Sequence, residues 1–243
     1  MQKHTQDAQE RLTLNEYWSQ NIPWSFRDVP NRPSFEERRK MRYALQDYMA
    51  EAIRFQDFKG KSVLEVGCGA GIDSVEFARN GAFVTAMDTS PLAVYETKGA
   101  FKEAGAKGTV LLGDIREKEF AGKFDAAYSF GVLHHIKEAD SVIEAIRANL
   151  KDGGEFIGMF YNRDSILYAY SQFHGISIER VPDAPYIHPY TREELRALLD
   201  RFFSRVSIVT YYNVIDLPSH RKAKLPISDA LGLGWHHIAR CIA

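Results

Sequence analysis

Little in this 243-residue chain could staple it together. Two cysteines, Cys68 and Cys241, cannot build a disulfide framework, and such sparing use fits a reducing compartment. Neither sign of charge dominates: 31 Lys and Arg stand against 32 Asp and Glu, for a formal net charge of −1. A duplex-DNA or RNA binder usually carries a basic excess or stripe, and none is visible. The basic runs Arg38–Arg42 and Arg221–Lys224 are short, and each reads as a solvated helix face or loop. No apolar run approaches the ~18 residues of a membrane-spanning helix. The opening Met1-Gln-Lys-His-Thr-Gln-Asp lacks the apolar core of a signal peptide. Internal repeats and low-complexity tracts are absent as well. The expectation is a cytoplasmic protein with neither nucleic-acid nor membrane partner; the oligomeric state is not legible.

What is present is an ordinary globular composition, 45% hydrophobic and 26% charged. A chain of this length buries about 70% of its unfolded surface, so it needs no metal or disulfide staple. Large apolar side chains at Trp18, Ile22, Trp24 and Phe26 demand something to pack on. Ser34 with Glu37 makes a capping box before a helical pattern through Met41, Leu45, Tyr48, Met49 and Ile53. From Lys61 the rhythm changes. Strands are expected at Ser62–Val66, Phe83–Met87, Thr109–Leu112, Phe124–Phe130 and Phe156–Phe160. Helices are expected from Ile72 to Ala78, over Leu92–Ala104 and over Ala139–Leu150. Such alternation means βαβ units and a parallel, doubly wound sheet. Residues 161–190, rich in Tyr, His and Pro, break the rhythm as an insertion. A helix Thr191–Phe203, a strand Val206–Tyr212, a loop Leu217–Gly234 and a last, antiparallel strand Trp235–Ala243 follow. The expected organisation is one domain over 1–243: a lid (1–59), a core (60–162), a cap insertion (163–190) and a C-terminal helix with strands (191–243).

The strongest local signal is Glu65-Val66-Gly67-Cys68-Gly69-Ala70-Gly71, directly after a buried strand. Glycines there permit a tight turn and a close approach of a ligand to the main chain. In open α/β sheets, ligands sit at the carboxyl ends of the strands. The G-x-G-x-x-G dinucleotide spacing fails by one, because Ile72 stands where its third glycine belongs. A phosphate-binding G-K-[ST] ending is missing too. The loop holds no Lys or Arg, while Asp73, Asp88 and Asp114 follow it. That set suits a ligand with hydroxyls, amines and a positive charge better than a polyphosphate.

E-x-G-x-G-x-G after the first strand resembles motif I of the class I S-adenosylmethionine-dependent methyltransferases. Asp88 ending the second strand, Asp114 after the third, Phe124–Ser129 as the fourth, and Leu150-Lys-Asp-Gly-Gly154 agree with that family over about residues 60–162. Val132-Leu133-His134-His135 is similar to the small-molecule branch often grouped with quinone biosynthesis. The resemblance implies a Rossmann-like seven-stranded sheet, mostly parallel with an antiparallel last strand. It implies S-adenosylmethionine as cofactor and methyl transfer to the O, N, S or C nucleophile of a small molecule. It also assigns roles. Gly67, Gly69 and Gly71, with Cys68 as a small filler, would let the methionine part pass over the loop, and Glu65 would accept from its ammonium. Asp88 and the adjoining Thr89 would hold the ribose, where Asp88 alternatively only caps a helix. Asp114 and Ile115 would hold adenine, where Asp114 alternatively is only a turn acid. Ser129 and Phe130 would line the sulfonium end.

Methyl transfer is an in-line displacement, for which positioning alone supplies about 7–11 kcal/mol. A base is needed only for a protonated acceptor. His134 or His135 could serve, or either could be hydrogen-bonded locally. As metal ligands two adjacent histidines converge poorly, so no metal is expected. His236 and His237, in a strand, read as structural. Tyr17, Trp24, Tyr161, Tyr168 and His188 are the candidates for a substrate pocket, or else pack the lid and cap on the core. Two readings of other classes stay open: a nicotinamide-dependent oxidoreductase, and a cofactor-binding protein without turnover. Within the family, amino-directed nucleic-acid methylation lacks its [DN]-P-P-[YF] motif, because Ser129-Phe-Gly-Val132 stands there.

Overall fold

A computed structural model describes residues 14–28, 30–175, 184–211, 214–216, 222–224 and 232–243. Residues 14–20 are helical. Helix α1 (Phe35–Leu45) starts on the expected capping box: the Ser34 N–H donates to Glu37 Oε2 at 2.8 Å and the Glu37 N–H to Ser34 Oγ at 3.4 Å. The helical pattern to Ile53 is not one helix. It breaks after Leu45 and resumes as the short α2 (Met49–Ile53). The buried face of α1 is Phe35, Arg38 and Arg42, whereas Met41 is 44% exposed. The basic run is therefore not a solvated face.

Beyond it the chain alternates: β1 (Ser62–Val66), α3 (Ile72–Arg79), β2 (Phe83–Asp88), α4 (Pro91–Ala104), β3 (Thr109–Leu112), β4 (Phe124–Phe130), α5 (Ala139–Ala148) and β5 (Leu150–Tyr161). The boundaries follow local chemistry. Ser90 caps α4 with Pro91 in its first turn, and Gly105 ends it at φ +62°. Helix α5 stops two residues before the expected Leu150, which already belongs to β5. The insertion contains α6 (Ile166–His174), capped by Ser165. Then come α7 (Arg192–Leu199), with a Thr191/Glu194 capping box, and β6 (Arg205–Tyr211). Within the expected loop Leu217–Gly234 lies a short strand, β8 (Lys222–Lys224), paired with β7 (Val214–Asp216) just ahead of it; the loop's other residues up to 231 lie outside the described ones. β9 (His236–Ile242) closes the chain.

The seven-stranded sheet has the order β3-β2-β1-β4-β5-β9-β6. Only the β5–β9 and β6–β9 pairs are antiparallel. Alternation along β1 and β4 splits the core in two. Val63, Ala126 and Tyr128 pack with Phe77 and Phe58 on one face. Leu64 and Ala127 pack with Ile143, Phe156 and Leu195 on the other. The order reverses between β1 and β4, and the glycine loop lies at that switch point, at the carboxyl edge. Among the described residues no helix is long and apolar enough to cross a membrane.

Candidate functional site

The glycine loop hangs on the end of β2: the Gly67 and Cys68 N–H groups donate to Met87 O at 2.8 and 3.1 Å. Asp88 then locks the loop from the side, accepting from the Gly69 N–H at 3.0 Å and from Ser90 N–H at 2.9 Å. Ser90 itself caps α4, so Asp88 is not the cap. Burial raises the Asp88 carboxyl above its usual value, against the N–H groups that favour its anion. Gly69 has φ +51°, and a Cβ there would meet only Ile22, at 3.9 Å. Glycine thus leaves open room over the loop. A Cβ on Gly71 would strike the Thr97 Cα at 2.8 Å, so this glycine also serves the close packing of α3 on α4.

The loop forms the floor of a cavity of about 1390 Å³. That exceeds the ~300–1,000 Å³ of a single small-molecule site and leaves room for two ligands. Its walls include Glu65, Gly67, Cys68, Gly69, Gly71, Asp88, Thr89, Asp114, Ile115 and Phe130. Glu65 is buried and accepts from Ser74 Oγ; burial and the nearby Asp73 push its carboxyl well above the usual range. Cys68 is buried beside Thr97 Oγ1 (3.3 Å), and burial pushes its thiol up, which leaves it a filler rather than a nucleophile. Asp114 caps the turn Ile115–Glu117 through Arg116 N–H at 2.9 Å and also pairs with the Arg116 guanidinium. Asp114 is thus a turn acid, and it also stands in the cavity wall.

Ser129 departs from expectation. It is fully buried and donates to Val66 O at 3.0 Å, tying β4 to β1 outside the cavity lining. Neighbours in a strand face opposite ways, so Ser129 and Phe130 could not both line the cavity. The two histidines also part company. His134 is fully buried, stacks on Tyr161 at 3.7 Å between centroids and does not line the cavity; burial and the neighbouring His135 hold its pKa well below the ordinary value. His135 does line it, with Nδ1 3.0 Å from the Tyr186 carbonyl and its ring 4.7 Å from Trp18. A carbonyl only accepts, so Nδ1 is the donor of that hydrogen bond.

Of the proposed substrate-pocket residues, Trp24 and Tyr161 line the cavity. Tyr17 stands behind Trp18, edge-on at 4.9 Å, and Tyr168 gives way to Leu167. His188 stays outside as well: its N–H donates to His134 O at 2.8 Å and its ring packs on Tyr190. The segment before α1 is anchored by Arg32, whose Nε donates to Ser25 O at 2.9 Å while its Nη2 pairs with the buried Glu96. Left-handed backbone at Trp24 (φ +64°) and Phe26 (φ +51°), rare for bulky residues, accompanies the placing of both side chains in the cavity wall.

Three features escape a reading of the sequence. Arg42 and Asp73, both in the wall, form a buried ion pair; the Asp73 carboxylate also accepts from Tyr43 Oη and Tyr128 Oη, each at 2.9 Å. The Arg42 guanidinium lies 4.9 Å over the Phe130 ring, a cation–π contact. His236, expected to be structural, lines the cavity because the β5–β9 register sets it opposite Tyr161. Its Nδ1 lies 2.6 Å from Tyr48 Oη, and burial, with Arg42 and His237 nearby, lowers its pKa to about 3. Periodicity contains no trace of partners 31 or 188 residues away.

Comparison with known proteins agrees with this geometry. The ubiquinone biosynthesis O-methyltransferase of Xanthomonas axonopodis pv. citri is 34% identical over 112 residues, covering 45% of this chain and 47% of that protein. The enzyme of the same name from Marinobacter nauticus is 36% identical over 118 residues, covering 45% and 49%. The chain spans about half the length of the curated relatives it matches. Among solved structures, magnesium protoporphyrin IX methyltransferase from Synechocystis PCC 6803, with bound SAH, superposes with a TM-score of 0.64 at 16% identity, over 96% of this chain and 99% of that one. A possible histamine N-methyltransferase from Thermotoga maritima gives 0.61 at 18%, over 91% and 99%. At such identities the likeness is one of fold. A family model described as a methyltransferase domain matches residues 37–202, and with the seven-stranded sheet, the glycine loop and Asp88 in place, the chain belongs to that methyltransferase family.

Proposed function

We propose that the protein transfers a methyl group from S-adenosylmethionine to a small aromatic acceptor, by in-line displacement at a hydroxyl oxygen. The observation that carries this is the open cradle: the Gly69 backbone locked by Asp88, with no side chain over it nearer than Ile22, on the floor of a cavity large enough for two ligands. The residues fit the cofactor. Asp88 offers a carboxylate to ribose hydroxyls, Glu65 offers one to an ammonium, and Ile115 and Met87 offer apolar surface to a base. The missing third glycine of the dinucleotide pattern speaks against a nicotinamide cofactor.

When bound, S-adenosylmethionine supplies an electrophilic methyl on a sulfonium. The chain's own residues do the rest. Phe130, Tyr161 and Trp235 give the acceptor end aromatic faces, which suit a planar acceptor and attract a sulfonium. Trp18, Ile22 and Trp24 close the lid side and exclude water, which strengthens each electrostatic contact within. His135, in the cavity wall and oriented by the Tyr186 carbonyl, is the side chain placed to take the acceptor's hydroxyl proton as the new C–O bond forms. The names of the O-methylating relatives support an oxygen acceptor. Two buried, unpaired cysteines fit a reducing, cytoplasmic setting.

The test is a labelled-methyl screen over phenols, amines and thiols. Label in the phenol set, lost in Asp88→Ala, supports the reading. Cofactor binding with no transfer to any pool contradicts catalysis, and tighter binding of NADH than of S-adenosylhomocysteine contradicts the cofactor.

A further inference from the structure

The glycine loop and the base sit on different loops. One follows β1 and the other, which carries His135, follows β4. Their relative position depends on how the two loops touch, and they touch at Gly67 and Val132. A Cβ on Gly67 would overlap Val132 Cγ2 and lie 3.2 and 3.3 Å from Val132 Cγ1 and Cβ. Val132 therefore fills the notch that the absent side chain leaves. Gly67 is itself fixed, by its N–H bond to Met87 O at 2.8 Å and by left-handed backbone at φ +81°. Just below, Ser129 Oγ donates to Val66 O at 3.0 Å, so both loops leave the sheet from a tied edge.

From Val132 the way to the base is short. Val132 opens the helical turn Leu133–His135, and its carbonyl accepts from the His135 N–H at 2.9 Å. On its other sides the turn is held by the fully buried Leu133 and by the His188 N–H, which donates to His134 O at 2.8 Å. Toward the glycine loop it is held by the Val132 side chain, which also lines the cavity. Branching at Cβ restricts χ1, which makes valine a stiff spacer.

We propose that Val132 is a positioning residue for methyl transfer: seated against Gly67, it sets the distance between His135 and the loop that cradles the cofactor. The inference rests on the reading of His135 as the base. It gives glycine at 67 a second reason, since a side chain there would push the base loop away. An in-line displacement tolerates little of this, because a shift of about 1 Å can cost about 10²-fold in rate.

The experiment replaces the spacer in the whole chain. Val132→Ala empties the notch. It is expected to lower kcat by about tenfold or more for the phenol methylated fastest in the labelled-methyl screen, while the Kd for S-adenosylhomocysteine by calorimetry stays within about threefold. Val132→Ile keeps two carbons on Cβ and is expected to recover at least about half of the unaltered kcat. A residue serving stability alone would lower Tm and leave the kcat of the folded enzyme unmoved. Magnetic resonance with isotope-labelled histidine reads the base without an acceptor. The His135 Nδ1–H signal, identified by its absence in His135→Phe, is expected to exchange with water at least about tenfold faster in Val132→Ala, as the turn loosens from the Tyr186 carbonyl. A kcat for Val132→Ala within about threefold of the unaltered value, or an S-adenosylhomocysteine affinity that falls as far as kcat, overturns the inference while the functional reading stands. Absence of transfer to any phenol overturns the functional reading, and with it the role in catalysis. A ring signal unmoved by Val132→Ala overturns the claim that Val132 holds His135, whatever the acceptor.

Discussion

Removing Asp73 probes the buried network that joins α1 to the floor of the site. Its carboxylate holds the Arg42 guanidinium at two oxygens and accepts from the hydroxyls of Tyr43 and Tyr128. Arg42 and Asp73 side chains are 10% and 4% exposed, so water replaces little of what is lost. Asp73→Ala strands a buried cation and orphans two hydroxyls. Breaking a buried pair from one side costs about 3–5 kcal/mol, and each orphaned buried hydroxyl about 1–3 kcal/mol, with incomplete additivity. An expected loss of about 4 kcal/mol corresponds to a fall in Tm of about 8–16 °C for a chain of this size. The assay is urea unfolding of the ligand-free protein, fitted at constant m, with a thermal scan beside it. The partner double variant Arg42→Met/Asp73→Leu removes both charges and is expected to recover much of the loss. A loss under about 1 kcal/mol for Asp73→Ala, or a double variant as unstable as the sum of its singles, refutes this account of the network.

Three further outcomes follow from the same geometry. Glu65, raised well above the usual carboxyl range by burial and Asp73, carries a proton in the ligand-free state below that raised value, and a bound ammonium favours its anion. S-adenosylhomocysteine binding is then expected to release a proton and to weaken as pH falls through the raised value; titrations in buffers of different ionisation enthalpy measure this, and proton uptake would contradict it. Gly71→Ala, with a Cβ 2.8 Å from Thr97 Cα, is expected to lower stability by about 2 kcal/mol or more, whereas Gly69→Ala is expected to lose mainly cofactor affinity; equal losses of stability would sink the distinction. His135→Phe is expected to lower kcat by about 10²-fold or more for a hydroxyl acceptor, with His134→Phe nearer to unaltered activity; the reverse order would remove His135 as the base.

The sheet was legible because its signals are local. The first four strands each end at a glycine or an acid, and each capping box lies within four residues. The glycine loop was legible for the same reason, since one strand and one turn define it. The lost parts are those that depend on distant partners. Arg38 and Arg42 look like a solvated basic face until α1 is laid against Asp73 and Glu103. His236 becomes a cavity residue only through a register with Tyr161, 75 positions earlier in the chain. Ser129 is different: strand alternation already separates it from Phe130, and the signal to exclude it was present.

Trp18, Trp24 and Trp235 are the three tryptophans of the chain, and all line the cavity. Intrinsic fluorescence therefore reports directly on what enters it. Titration with S-adenosylhomocysteine is expected to give a saturable change that Asp88→Ala abolishes without lowering the ligand-free Tm by more than a few degrees. A spectrum unmoved by S-adenosylhomocysteine, with no rise in Tm at saturating concentration, would contradict the claim that this cradle holds a sulfur-bearing nucleoside.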